Sequence, residues 1–151
     1  MSPLAVYTPV EQDDLLQFLA GYELGEVIAF KGIAEGVENS NFFLETERGR
    51  YILTLYEKRV DPNDLPFFIG LMDHLAEAGL PCPTPVHNRD GEALGRLNGR
   101  PAAIISFLQG MSPQRPRVVH CAELGRALAR LHIAGADFEI KRPNNLSVEG
   151  W

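Results

Sequence analysis

The sequence is poor in several things at once. It has only two cysteines, Cys82 and Cys121, far apart and each without a neighbouring partner. That scarcity excludes a cysteine-rich zinc site and a disulfide-stapled secreted scaffold, and predicts two packed thiols in a reducing cytoplasm. No apolar run reaches the roughly 18 residues that a membrane helix needs, so no membrane partner is expected. The opening MSPLAVYTPVEQDD has no basic stretch ahead of an apolar one and does not form a secretion signal. Positive charge is scarce too. The net charge is −6, and Arg115, Arg117, Arg126 and Arg130 are too dilute to make a nucleic-acid face. Internal repeats are absent, as is a Gly-Lys-Ser/Thr phosphate loop. His74, His87, His120 and His132 include no pair at metal-binding spacing and no nucleophile motif, so no metal site and no catalytic residue are assigned.

What is there suits a single domain with a sizeable core: 151 residues, 45% hydrophobic and 23% charged. Thr8, Pro9 and Glu11 read as the cap and first turn of a helix carrying Leu15, Leu16, Phe18 and Leu19, stopped by Gly21. A short apolar strand over 24–31 leads into a glycine-bearing loop from Gly32 to Asn41. Phe42, Phe43 and Leu44 resume a strand, and Glu47-Arg48-Gly49-Arg50 turns it into the β-prone run Tyr51 to Tyr56. Asp61 and Pro62 open a second helix with Leu65, Phe68, Ile69, Met72 and Leu75 at helical spacing. Alternate prolines at 81, 83 and 85 force an extended path after Gly79. Turns at Asn88–Gly91 and Leu97–Gly99 flank two further strands, the last running from Pro101 to Leu108. Val118, Cys121, Leu124, Leu128 and Leu131 mark a third helix ending near Gly135, beyond which no periodicity is usable. The order predicts an α+β lobe, an antiparallel five-stranded sheet plus helices, with a connection leading out of it.

The loop is the most informative stretch. Gly32 and Gly36 allow close backbone approach, and consecutive N–H groups in such a loop can cradle phosphate, with Asn39, Ser40 and Asn41 adding small polar donors. On this evidence a phosphate cradle and a long hairpin connection both remain open.

The string Phe30-Lys31-Gly32-Ile33-Ala34-Glu35-Gly36-Val37-Glu38-Asn39-Ser40-Asn41, followed by Tyr51-Ile52-Leu53-Thr54-Leu55-Tyr56-Glu57, resembles the start of bacterial homoserine kinases of the aminoglycoside-phosphotransferase and choline kinase type. Asp61-Pro62, Asp64 to Phe68, Gly79 to Pro83 and the Leu-Gly…Leu-His helix extend the resemblance over nearly the whole chain. It implies a protein-kinase-like amino-terminal lobe over 1–108. The remaining 109–151 would be hinge, linker and the first helix of an incomplete carboxyl lobe. It also implies ATP with Mg²⁺ as cofactor and homoserine as substrate. Gly32, Gly36, Asn39, Ser40 and Asn41 would lie over the phosphates, with Ser40 and Asn41 the best candidates for direct contact; Ser106, Phe107 and Leu108 would form the hinge that meets adenine, and Ile33, Leu53 and Ile105 would sandwich the base.

Two departures qualify that picture. Kinases of this fold carry a strand lysine paired with a helix glutamate, and here Thr54 stands at the lysine position while Phe67 to Gly70 offer no glutamate. Lys31 and Lys58 are the nearest cations. No His-x-Asp…Asn string is present either, so the resemblance implies a partial chain whose transfer chemistry and metal ligands lie elsewhere. Such a chain would be inactive alone and would self-associate through an exposed lobe interface. A non-catalytic module of the same fold and a kinase for another small hydroxyl acceptor are the alternatives.

Overall fold

A computed structural model describes residues 7–34, 38–58, 60–144 and 147–148. The chain divides into two compact units. The first comprises Met1–Pro62 and Pro83–Gln109, the second Asn63–Cys82 and Gly110–Trp151.

The first unit holds one helix and the sheet. Helix α1 is Gln12–Leu19, and the strands are β1 (Val27–Ile33), β2 (Asn39–Thr46), β3 (Gly49–Tyr56), β4 (Gly95–Leu97) and β5 (Arg100–Ser106). They form the expected five-stranded antiparallel sheet in the order β1-β2-β3-β5-β4. A two-residue connection, Glu47-Arg48, joins β2 to β3, with Thr46 opposite Gly49. The β4–β5 connection is Asn98-Gly99 with φ of 48° and 77°, the paired left-handed conformation that favours Asn-Gly in tight hairpins.

Alternation along the strands gives the sheet two unlike faces. Phe42 and Leu44 of β2, Leu53 and Leu55 of β3, Leu97 of β4, and Ala102 and Ile104 of β5 point to one side. There they pack with Leu15 and Leu19 of α1 and with Tyr22 and Leu24. Leu15, Leu44, Leu53, Leu55 and Ile104 are fully buried, each contributing about 1.5–3 kcal/mol by leaving water. Helix α1 comes close enough to β4 that a Cβ on Gly95 would lie 2.7 Å from the Phe18 ring, so any larger residue there would have to displace that ring.

Several boundaries differ from the sequence expectation: β1 begins at Val27 and not at Leu24, and β5 ends at Ser106 and not at Leu108. Helix α1 begins at Gln12, with Glu11 as the cap residue and its N–H donating to Asp14 Oδ2 at 3.3 Å; Thr8 lies outside the helix because its N–H donates to Ser40 Oγ. Strand β1 runs on through Gly32 and Ile33, and β2 already starts at Asn39, so the connecting loop is shorter at both ends. At the start of β1, Ile28 is an extra residue between the Val27–Thr46 and Ala29–Glu45 pairs, a bulge on the sheet's edge strand.

The second unit contains α2 (Leu65–Glu77), entered through a single 3₁₀ turn at Pro62–Asp64, and α3 (Val118–Ala134). The α3 boundaries match the expected ones, with Gly135 donating to the Leu131 carbonyl at its end. The stretch after α3, which shows no periodicity, packs along α2. Phe138 meets the Phe67 and His74 rings at 5.7 and 5.3 Å, and Arg142 pairs with Asp64 at 2.7 Å while covering the Phe68 ring. His74 Nε2 lies 2.7 Å from the Ala134 carbonyl and 3.1 Å from Asp137, so its role is a clasp between α2 and the end of α3. Leu124, Leu128 and Leu131 on α3 are exposed at 61%, 46% and 39%.

Candidate functional site

The sheet face away from α1 is organised in rungs, because directly opposed residues of antiparallel neighbours share a face. One rung reads Lys31, Phe43, Ile52 and Ile105 across β1, β2, β3 and β5. The next reads Ile33, Asn41, Thr54 and Ala103. An apolar row therefore lies beside a row with two polar side chains at its centre. Phe107, just past β5, packs edge-on against Phe43 with centroids 5.7 Å apart and extends the apolar row. The polar row borders the segment joining β1 to β2.

Asn39, Ser40 and Asn41, expected in a loop, are instead the first residues of β2, and each is tied to β3 or its continuation by its side chain. Asn39 Oδ1 accepts from the Glu57 N–H at 3.4 Å, the Ser40 hydroxyl donates to Glu57 Oε1 at 2.7 Å, and the Thr54 hydroxyl donates to Asn41 Oδ1 at 2.9 Å. Ser40 is fully buried on the α1 side, where its oxygen also accepts from the Tyr7 and Thr8 N–H groups at 2.8 and 3.1 Å. Glu57 is buried as well and pairs through Oε2 with Arg100 at 3.0 Å. The sequence gives no signal for this Ser40–Glu57–Arg100 network, since Glu57 ends a strand in a position that usually faces water.

Gly32 lies within β1 opposite Phe42, and Gly36 falls outside the described residues. Ser106 closes β5. Its hydroxyl accepts from the Thr84 N–H and its N–H donates to the Thr84 carbonyl, each at 2.9 Å, while the Phe107 N–H donates to the Arg50 carbonyl at 3.1 Å. Phe107 and Leu108 are exposed. Ser106, Phe107 and Leu108 thus sit at the end of the apolar row, whereas Asn41 sits at the opposite end of the same face. Leu53 does not belong here. It is buried in the α1-side core, and the β3 residue facing Phe43 and Ile105 is Ile52, one position earlier. Lys31 is exposed on the edge strand, and Lys58 is exposed just past β3.

A separate groove of about 1070 Å³ lies between α1 and the start of β1, lined by Leu16, Leu19, Glu23, Val27, Ile28 and Arg48 among others. It is on the far side of the sheet from the Asn41–Thr54 row. No group of three His, Cys, Asp or Glu side chains that could hold a metal occurs among the described residues, and none of their helices is long and apolar enough to cross a membrane.

Residues 29–150 match the phosphotransferase enzyme family. Homoserine kinases from Paramagnetospirillum magneticum, Rhizobium meliloti and Bradyrhizobium diazoefficiens are each 63% identical to this chain over 148 residues, covering 98% of it and 45% of themselves. The chain spans a little under half the length of these relatives. Among solved structures, a spectinomycin phosphotransferase in complex with ADP and spectinomycin superposes with a TM-score of 0.65 at 14% identity, covering 84% of this chain and 39% of that one. At that identity the likeness shows the fold alone: the protein-kinase-like sheet and helices expected from the sequence.

Proposed function

Since the chain belongs to the phosphotransferase enzyme family, we propose that it is the nucleotide-binding portion of an ATP-dependent kinase acting on the hydroxyl of L-homoserine, a step toward threonine. The observation that carries this reading is the pair of adjacent rungs on one sheet face. Phe43, Ile52 and Ile105, with Phe107 beside them, offer an apolar surface for adenine. The Ser106 and Phe107 N–H groups are already given to the Thr84 and Arg50 carbonyls, so at the Ser106-Phe107-Leu108 strand end hydrogen bonds to its edge would come from the Phe107 carbonyl and the Leu108 backbone. One rung further, Asn41 offers amide donors where the phosphates would follow, and Gly32 and Gly36 bracket the backbone that would pass over them.

Roles within the Asn39-Ser40-Asn41 string divide accordingly. Ser40 and Asn39 anchor the start of β2 through Glu57, while Asn41 faces the nucleotide. Bound ATP supplies the γ-phosphoryl group. This segment contributes binding and orientation, not proton transfer. Residues 1–108 form the nucleotide-binding lobe in this reading and 109–151 the hinge, linker and start of the second. The acceptor site, the aspartate that orients the attacking hydroxyl and the Mg²⁺ ligands are assigned to the half of the relatives' length that this chain does not span. The same reading places the protein in the cytoplasm. It also makes the exposed Leu124, Leu128 and Leu131 of α3 a surface through which the isolated segment self-associates.

The test is a coupled ADP-release assay on the protein expressed from its whole reading frame, with homoserine, choline and an aminoglycoside as acceptors. Turnover with homoserine alone is the expected result. Preference for either of the others, or turnover by the isolated 151 residues, overturns the assignment.

A further inference from the structure

The inference rests on the nucleotide-binding reading above and deepens it at one position, the place on β3 where kinases of this fold carry a lysine. We infer that Thr54 is a positioning residue for the nucleotide phosphates: it holds the Asn41 amide with its N–H₂ turned toward them, a neutral grip in place of the strand lysine. Asn41 and Thr54 are directly opposed on β2 and β3 and share the face of the apolar rung. The Thr54 hydroxyl is a donor to Asn41 Oδ1 at 2.9 Å, and Thr54 is only 7% exposed, which fixes its rotamer by packing. With its oxygen engaged, Asn41 keeps both amide hydrogens, and among the described residues they donate to no protein group. An acceptor-rich, anionic ligand such as a diphosphate matches that pair of donors.

The alternatives on this face are weaker. A lysine at position 54 would be nearly buried and would need a compensating carboxylate, and its partners across the sheet, Asn41 and Ala103, carry none. Lys58 lies beyond the end of β3, and Lys31 belongs to the neighbouring rung on the edge strand. Without the Thr54 hydroxyl, nothing sets the orientation of the amide, and its half-turn would present an oxygen to the phosphates instead of hydrogens. The hydroxyl thus decides which end of a near-symmetric group faces the ligand.

The experiment titrates ADP and adenosine separately into the protein expressed from its whole reading frame, comparing the unaltered chain with Thr54→Val, Thr54→Ser, Asn41→Asp and Lys31→Ala. Thr54→Val is expected to weaken ADP binding about tenfold, the size of one hydrogen bond to a charged group, and to leave adenosine binding unchanged. Thr54→Ser should restore ADP affinity, and Asn41→Asp should weaken it more than Thr54→Val does. Equal losses for ADP and adenosine would assign Thr54 a merely structural role and overturn the inference. So would unchanged ADP binding in Thr54→Val, or a larger loss in Lys31→Ala. Failure of the unaltered protein to bind ADP overturns the nucleotide-binding reading itself and this inference with it.

Discussion

The Ser40 hydroxyl donates to the Glu57 carboxylate at 2.7 Å, with both side chains buried on the α1 side of the sheet. The bond joins the first turn-side residues of β2 to the residue that follows β3, and Arg100 of β5 completes it at 3.0 Å. Strands β2 and β5 and the residue following β3 therefore meet at one carboxylate, and the Tyr7 and Thr8 N–H groups join the network through the Ser40 oxygen.

Removing that carboxylate strands two polar groups. Glu57→Ala leaves the Arg100 guanidinium and the Ser40 hydroxyl without their acceptor, and breaking a buried pair this way costs about 3–5 kcal/mol. Because Arg100 keeps 29% exposure, about 2–4 kcal/mol is expected here. Glu57→Gln retains an acceptor for Ser40 and should lose roughly half as much. Urea unfolding of the three proteins measures the difference, and equal stability for all of them would show that the network contributes nothing.

The two faces of β3 separate stability from binding. Leu53→Ala empties a fully buried core position and should cost about 2–5 kcal/mol. Ile52→Ala, half-buried on the opposite face, should cost less but weaken adenosine binding. Thermal unfolding together with nucleotide titration distinguishes them, and a nucleotide defect confined to Leu53→Ala would reverse the face assignment.

Alkaline pH should destabilise the fold. Burial raises the Tyr22 and Tyr56 hydroxyls above their ordinary value, and burial followed by the Asp73 charge raises the Cys82 thiol. Each group holds its proton more tightly folded than unfolded. The stability it contributes is complete below its unfolded value and is lost as pH climbs through the higher folded one, a window opening at about pH 8.5 for the thiol and about pH 10 for the phenols. Tyr22 Oη also has no hydrogen-bond partner among the described residues in its buried position. Tyr22→Phe should therefore be neutral or stabilising by about 1 kcal/mol at pH 7 and should flatten part of the alkaline loss. Chemical unfolding at pH 7 and pH 10.5 provides the comparison, and a Tyr22→Phe protein less stable at both would reveal a partner for the hydroxyl.

Charge on α3 should change the behaviour of the isolated segment. Leu124 and Leu128 lie on an exposed apolar stripe, so replacing both by Glu removes association surface without opening a core. Sedimentation of the 151-residue chain should show larger species for the natural sequence and a smaller average mass for the double variant. A natural-sequence monomer at high concentration would refute the self-association reading.

Much of the architecture was legible in the residues. The end of α3 at Gly135, the Asn98-Gly99 hairpin and the five strands follow from caps, turns and β-prone runs that agree with their tertiary setting. The failures have specific causes. Thr8-Pro9 carries a helix-start pattern, but its backbone is claimed by Ser40. Asn39-Ser40-Asn41 has loop composition yet forms strand, because Glu57 and Thr54 satisfy its side chains. In Tyr51 to Tyr56 most positions on both faces are apolar, so alternation could not tell Leu53 from Ile52. The clasp at His74 has no local signal, since its acceptors at Ala134 and Asp137 are remote in sequence.

The two open margins of the sheet are blunted in different ways. On one side Ile28 breaks the ladder and Lys31 puts a charge on the rim; on the other, β4 offers only three residues. Neither border is a long, flat template on which another chain could stack strand upon strand. A molecule whose sheet has folded is thereby steered away from fibre growth, and clumping that begins at the exposed leucines of α3 should stay amorphous and dissolve on dilution.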